Sequence, residues 1–371
     1  MKVLIVQQKM IGDVLLSSML CELIKKNNPN TIVHYLINSN TEAVVTNNPY
    51  IDRIIFFTDE YRNSKWSFYG FLKEVTRENY DVVIDAYCKL ESMLVSLFSK
   101  ASVKISMDKW YSRPIYTKTF KYKTTGYSNL GLAVDNRLTL LKPFLGDLEK
   151  VSSQPRIYLT DVEILDARLF LEKNGIDFFK PIIMINILGS SEHKTYPLSY
   201  MAKVIDHVAS EGDFTILFNY MPSQLKVAKK VYSLCAPASK AKIKFDVYTP
   251  LLRSFLGVLY HCNALIGNEG GAINMAKALK VPTFSIFSPW VEKVTWETFK
   301  HTKRDIAVHL NDYEPLLIKG RSIKELRKEA QNLYYNFKPL LFQEMISHFL
   351  NTKIFIQEQD LLRNRIYNKV V

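Results

Sequence analysis

The chain has 371 residues, 47% hydrophobic and 23% charged, a globular composition that excludes a disordered protein. That length exceeds one ordinary core and suits two domains. A formal net charge of +13 calls for an anionic partner, without choosing among nucleic acid, anionic lipid and a phosphorylated saccharide; a generally basic solvated surface is the other reading. Cys21, Cys88, Cys235 and Cys262 are dispersed with no CxxC, which reads as reduced thiols in the cytoplasm rather than a disulfide frame or zinc site. The apolar run Val3–Val6 is followed at once by Lys9 and Asp13, so no signal-peptide core is expected. No apolar run approaches the ~20 residues that span a bilayer, and a soluble, cytoplasmic protein is expected.

Residues 2–7 form a continuous apolar strand, and 14–26 carry helical spacing through Leu15, Leu16, Met19, Leu20, Leu23 and Ile24. Strands are predicted at 31–37, 53–57, 81–85 and 103–106, with helices at 41–47, 64–78 and 89–100 between them. Such alternation implies right-handed crossovers and a parallel sheet. Residues 107–128 are basic, aromatic and aperiodic, and read as a long loop of the kind that is functional or mobile. The stretch 143–156 has the composition of a linker. A second alternation follows, with strands at 156–159, 182–187, 214–218, 242–245, 263–267 and 282–287. Its helices fall at 161–174, 197–211, 222–235, 250–260 and 271–279. From 323 onward the spacing is helical. The expected organisation is therefore an α/β chain with domains at 1–150 and 151–335. Residues 336–371 form a helical tail that could pack back on the first domain.

Three segments could carry chemistry. At Gly12-Asp13 the glycine would permit a tight strand-to-helix turn, and the carboxylate could cap the helix or act as a general base. At 186–197, NILGSSEHKTYP, the groups of Gly189, Ser190 and Ser191 could donate to phosphate oxygens and Lys194 would add a charge; an ordinary polar turn is the other reading. His193 stands where a P-loop needs glycine, so a nucleoside-triphosphate motif fails. In Gly267-Asn268-Glu269-Gly270-Gly271-Ala272-Ile273-Asn274 the glycines let backbone approach a ligand, and the next helix opens with free amides. A plain helix-entry turn is the alternative there. Its spacing is not G-x-G-x-x-G, so it is not a dinucleotide fingerprint. No D-x-D pair, H-E-x-x-H or G-x-S-x-G occurs, and neither a metal nor another cofactor is expected.

Together these segments resemble glycosyltransferase family 9, the ADP-heptose:lipopolysaccharide heptosyltransferases. The resemblance rests on IGDVLLSS, on the G-S-S-x-x-K-x-Y-P of residues 189–197, and on E-G-G-A-I-N-M-A-K-A-L followed by VPTFSIFSP. It implies a GT-B fold, two Rossmann-like domains facing a central cleft, and an inverting, metal-independent transfer. Asp13 would be the base, beside Gly12 on the acceptor side. Gly189, Ser190, Ser191 and Lys194 would meet the donor phosphates, with Lys194 also stabilising the leaving group. Glu269 would engage the donor sugar, and Gly270 and Gly271 would present amides to the diphosphate. Glu269 replaces the family's usual Asp and Asn274 its usual His, which implies a different donor sugar or reduced activity. The alternative is a non-catalytic GT-B scaffold that binds a glycan or a partner enzyme. The implied partners are a nucleotide-diphosphate sugar (ADP-heptose by resemblance) and an anionic or lipid-linked saccharide met by Lys118, Lys121 and Lys123. Peripheral contact with the cytoplasmic membrane face is expected, and nucleic acid is not.

Overall fold

The computed structural model describes residues 1–126, 128–148, 151, 153–299 and 304–354. The chain divides into two compact units, one of Met1–Tyr158 with Val294–His301 and one of Leu159–Lys293 with Thr302–Val371.

The first unit is built on six strands: β1 (Lys2–Gln7), β2 (Ile32–Asn38), β3 (Arg53–Phe57), β4 (Val82–Asp85), β5 (Val103–Met107) and β6 (Lys118–Phe120). They lie in the order β3-β2-β1-β4-β5-β6, every pair parallel. The unbroken apolar runs of β1, β2 and β4 follow from this, because helices cover both faces of a parallel sheet. Val3 lies between Val33 and Val82 in register, all buried. Strand order reverses between β1 and β4. Loops leaving the carboxyl ends of those two strands diverge and open a crevice, where open α/β sheets take ligands.

Two expectations are corrected in this unit. Residues 107–128 are not all loop, because Lys118–Phe120 pairs with β5 through Ile105↔Lys118 and Met107↔Phe120. A three-residue strand has no readable periodicity, and the open edge of β5 supplies its partner. The segment at 41–47 forms a 3-10 helix over Ser39–Val44 rather than an α-helix. The expected linker at 143–156 holds a short helix, Lys142–Leu145, at its start. Glu149, Lys150 and Ser152 within it lie outside the described residues.

The second unit has β7 (Ile182–Asn186), β8 (Thr215–Asn219), β9 (Ala264–Asn268), β10 (Thr283–Ile286) and β11 (Asp305–Val308). Their order is β11-β10-β9-β7-β8, again all parallel, with the reversal between β7 and β9. No strand forms at 156–159, and Ile243 makes only an isolated bridge to Ile216 after the helix Pro237–Lys242. β11 has no apolar run long enough to announce it; pairing to β10 creates it.

The expected tail is also corrected as far as residue 354. Phe337, Phe342, Ile346, Phe349, Leu350 and Ile354 are buried in the second unit's core with Tyr196, Phe284 and Tyr334. Burying that much aromatic and aliphatic surface holds the segment in the second unit. His207 Nε2 also meets the Gln343 carbonyl at 3.0 Å and Ser347 Oγ at 2.9 Å. The remainder of the tail, 355–371, lies outside the described residues. Among the described residues no helix is long and apolar enough to cross a membrane.

Candidate active site

In the first unit the chain leaves β1 through Gln8 and Lys9 and enters the helix Ile11–Asn27. Met10 is the extended N-cap and makes no side-chain cap, so Gly12 and Asp13 fall inside the first helical turn. Asp13 therefore does not cap. Its buried carboxylate takes an ion pair from Arg137 Nη2 at 2.6 Å and a longer one from Lys9 Nζ at 3.3 Å, both on Oδ1. Lys9 also sits 5.5 Å from the centre of the Trp296 ring. An acidic residue in the first turn suits the helix dipole, so the site of this carboxylate costs little.

Across the order reversal, Asp85 ends β4 and is fully buried. Burial pushes its carboxyl above the usual range, while the Cys88 amide at 2.7 Å and the Tyr116 hydroxyl at 2.5 Å favour the charged form. Tyr116 and Lys109, whose Nζ donates to the Cys88 carbonyl at 2.5 Å, belong to the basic, aromatic stretch. That stretch is thus anchored to the carboxyl end of the sheet. Lys118, Lys121 and Lys123 are exposed on it, together with Trp110, Tyr111 and Tyr122. The backbone of Lys123 is held by the Asn136 side chain, beside Arg137.

In the second unit each of β7, β8 and β9 ends in asparagine, and hydrogen bonds from their side chains link the three residues. Asn219 Nδ2 donates to Asn186 Oδ1 at 2.8 Å, and Asn186 Nδ2 donates to the Asn268 carbonyl at 2.7 Å. Asn268 Nδ2 donates back to the Asn186 carbonyl at 3.0 Å, while its Oδ1 accepts the Tyr196 amide at 2.7 Å. The ladder ties the turn at 187–195 to the turn at 269–271. Gly267 permits this closeness: it has φ +136°, and a Cβ there would lie 2.3 Å from the Asn186 carbonyl oxygen.

Lys194 Nζ meets Glu269 Oε1 at 2.9 Å, uniting two segments that are distant in sequence. Glu269 is buried, and Lys194 is about a quarter exposed. The Trp290 ring lies 5.3 Å from Lys194 Nζ and 5.2 Å from the Arg327 guanidinium. Trp290 Nε1 at 2.9 Å and Ser288 Oγ at 2.7 Å both donate to the His193 carbonyl, which fixes the lysine-bearing turn. Among the described residues His193 Nδ1 is buried without a hydrogen-bond partner.

Gly189 departs from its expected role. Its amide donates to Thr195 Oγ1 at 3.1 Å and is not spare for a phosphate, and its carbonyl accepts from Gln224 Nε2 at 3.0 Å. A Cβ there would lie 2.3 Å from the Lys194 carbonyl oxygen, so this glycine closes the turn. Ser190 and Ser191 are exposed on the same turn. Gly270, at φ +143°, and Gly271 have nothing within 4 Å of a would-be Cβ, leaving their backbone open to a ligand. They lead into the helix Gly271–Ala278, whose first amides have no carbonyl of their own helix to bond. Asn274 stands half-buried in its first turn, its amide bonded to the Gly270 carbonyl at 3.2 Å. A phosphate at this helix start would meet free N–H groups, the positive dipole end and the Lys194 ammonium.

Sequence reasoning missed Arg137, Trp290 and Arg327, which carry no local signal. It also passed over the asparagine ladder, although the repeated strand-final Asn in IIMIN, TILFN and ALIGN was visible.

The profile of glycosyltransferase family 9 (heptosyltransferase) matches residues 69–317. The chain is 22% identical to lipopolysaccharide heptosyltransferase 1 of Campylobacter coli over 302 residues, covering 77% of this chain and 84% of that protein. Among solved structures, the glycosyl transferase family 9 protein of Veillonella parvula DSM 2008 superposes with a TM-score of 0.70 at 19% identity, over 90% of this chain and 97% of that one. The E. coli heptosyltransferase WaaC with ADP-2-deoxy-2-fluoro heptose gives a TM-score of 0.63 at 18% identity, over 83% and 93%.

Proposed function

The chain belongs to glycosyltransferase family 9 and has the GT-B fold, and from that premise we propose an inverting, metal-independent transfer of a heptose-like sugar from a nucleotide-diphosphate donor to an anionic saccharide acceptor. The observation that carries this reading is the Lys194–Glu269 pair at the order reversal of the second sheet, beside the open backbone of Gly270 and Gly271. The diphosphate is read at the start of the helix Gly271–Ala278, with Lys194 and the exposed Ser190 and Ser191 as further donors. Glu269 would repel phosphate, so its carboxylate accepts hydrogen bonds from hydroxyls of the donor sugar. Asn274 faces the same donor from the first helical turn.

In the first unit Asp13 is the general base. An acceptor hydroxyl oxygen attacks the anomeric carbon as its proton passes to Asp13. The bond from that carbon to the diphosphate oxygen breaks, and the electron pair leaves with the nucleotide. Lys194 and the helix amides hold the negative charge that develops there. Oriented donors of this kind are each worth about 3 kcal/mol. In this reading they do the work of a divalent cation.

The acceptor is assigned to the basic stretch with Lys118, Lys121 and Lys123, anchored by Tyr116 on Asp85. Its exposed aromatics and cations suit a lipid-linked, phosphorylated core saccharide and peripheral contact with the cytoplasmic face of a membrane. ADP-heptose is the donor favoured by the WaaC complex, whose ligand is an ADP-heptose analogue. Thermal stabilisation by ADP-, UDP-, GDP- and CDP-sugars tests the reading. ADP-heptose should raise the melting temperature by several degrees, and Lys194→Ala should remove most of that shift. If no nucleotide sugar stabilises the protein at millimolar concentration, the donor assignment fails.

A further inference from the structure

We propose that Arg137 is a positioning residue for the proton acceptor, aiming one chosen oxygen of Asp13 at the acceptor hydroxyl. The inference rests on the assignment of Asp13 as general base. Asp13 and Ser17 are four residues apart on the helix Ile11–Asn27, so their side chains stack on one face. The guanidinium of Arg137 bridges the two. Nη2 donates to Asp13 Oδ1 at 2.6 Å, Nε to Ser17 Oγ at 3.0 Å, and Nη1 to the Ala133 carbonyl at 2.7 Å.

All three nitrogens of a planar fork are thereby committed, and only 14% of the side chain is exposed. Ser17 is itself fully buried and accepts from Gln7 Nε2 at 3.1 Å, so the bridge ends on a fixed group. Lys9 is a different kind of neighbour. It is half exposed, lies 3.3 Å away and can rotate off.

The scaffold under Arg137 is equally fixed. The helix Leu132–Leu138 starts after Gly131 at φ +98°, where a Cβ would lie 2.6 Å from the Glu297 carbonyl oxygen. Ser128 Oγ bonds buried Asp135 Oδ1 at 2.5 Å.

Both cations address Oδ1. Asp13 Oδ2 makes no hydrogen bond among the described residues. Oδ2 is therefore the oxygen that takes the proton, held in place by the two bonds on its twin. Neither the IGD segment nor its spacing points to an arginine 124 residues further along.

Steady-state kinetics of the full chain test this. Arg137→Ala should lower kcat roughly 10–100-fold, the cost of a misaimed reacting group, with both KM values within about twofold of wild type. Guanidinium ion in the assay should restore part of that loss, and methylammonium should restore less. Ser17→Ala, which removes the Nε bond and the Gln7 bond to the same hydroxyl but leaves the Arg137–Asp13 pair, should lower kcat several-fold and keeps the test open if Arg137→Ala fails to fold. An Arg137→Ala enzyme with wild-type kcat overturns the proposal, as does a lowered kcat that guanidinium does not rescue. Asp13→Asn, run beside them, separates the two readings: full turnover in that variant defeats the base assignment itself, whatever Arg137 does.

Discussion

Replacing Asn268 with alanine would remove two bonds of the ladder that joins the two donor loops, leaving the one from Asn186 Nδ2 to its backbone carbonyl. The change deletes the acceptor of the Tyr196 amide, 2.7 Å away, and the donor to the Asn186 carbonyl, 3.0 Å away. Asn268 and Tyr196 are both fully buried, so water cannot take over either bond without opening the structure. A buried polar group left unpaired costs about 1–3 kcal/mol, and an N–H suffers more than a carbonyl, which has a second lone pair. Two stranded groups give about 3–4 kcal/mol of lost stability in the second unit. The local effect matters more for function, because Tyr196 lies two residues beyond Lys194. Releasing its amide frees the turn that holds the ammonium against Glu269. Urea unfolding should show the global loss, and hydrogen–deuterium exchange over residues 188–197 should show lost protection. Stabilisation by ADP-heptose should drop with it. Unfolding within 1 kcal/mol of wild type, with unchanged protection of that segment, would refute the ladder as the device that places Lys194.

Three further outcomes are expected. Gly267→Ala should cost roughly 3–5 kcal/mol by urea unfolding, since it combines an unfavourable φ with a clash against strand backbone that has no flexible atom to yield. The Lys118→Glu, Lys121→Glu and Lys123→Glu triple variant should raise the acceptor KM about tenfold while leaving donor-induced stabilisation intact, because charge reversal acts on an anionic partner met at the surface; unchanged kinetics on an anionic acceptor would remove that assignment. The Arg253 guanidinium beside Glu163 holds its carboxyl down at about 2, against an ordinary 4.5. Because the folded value is depressed, the pair stabilises fully above pH 4.5, and that contribution is lost as pH falls toward 2. After allowance for partial exposure it is about 1–3 kcal/mol, so stability measured between those limits should be flatter in Glu163→Gln than in wild type.

The family was legible in the sequence because its signature is local. Strand, turn and helix follow one another within about twenty residues at IGDVLLSS and at GNEGGAINMAKAL, and apolar runs declare buried parallel strands without any knowledge of their neighbours. Short or edge elements were not legible, as β6 and β11 show, because pairing to an existing sheet edge rather than intrinsic preference makes them strands. The sequence alone also determined which residue types were available: an acid after a glycine on the first helix, a lysine after a serine pair, and glycines ahead of a helix start. Only the tertiary structure decided which of them act together. Arg137 reaches Asp13 across 124 positions, Lys194 finds Glu269, and three strand-final asparagines become one ladder. The physical reason is that periodicity and turn chemistry are nearest-neighbour properties of the chain, whereas a guanidinium, an ammonium or an amide acquires its partner only when the strand order of a sheet brings remote loops to the same edge.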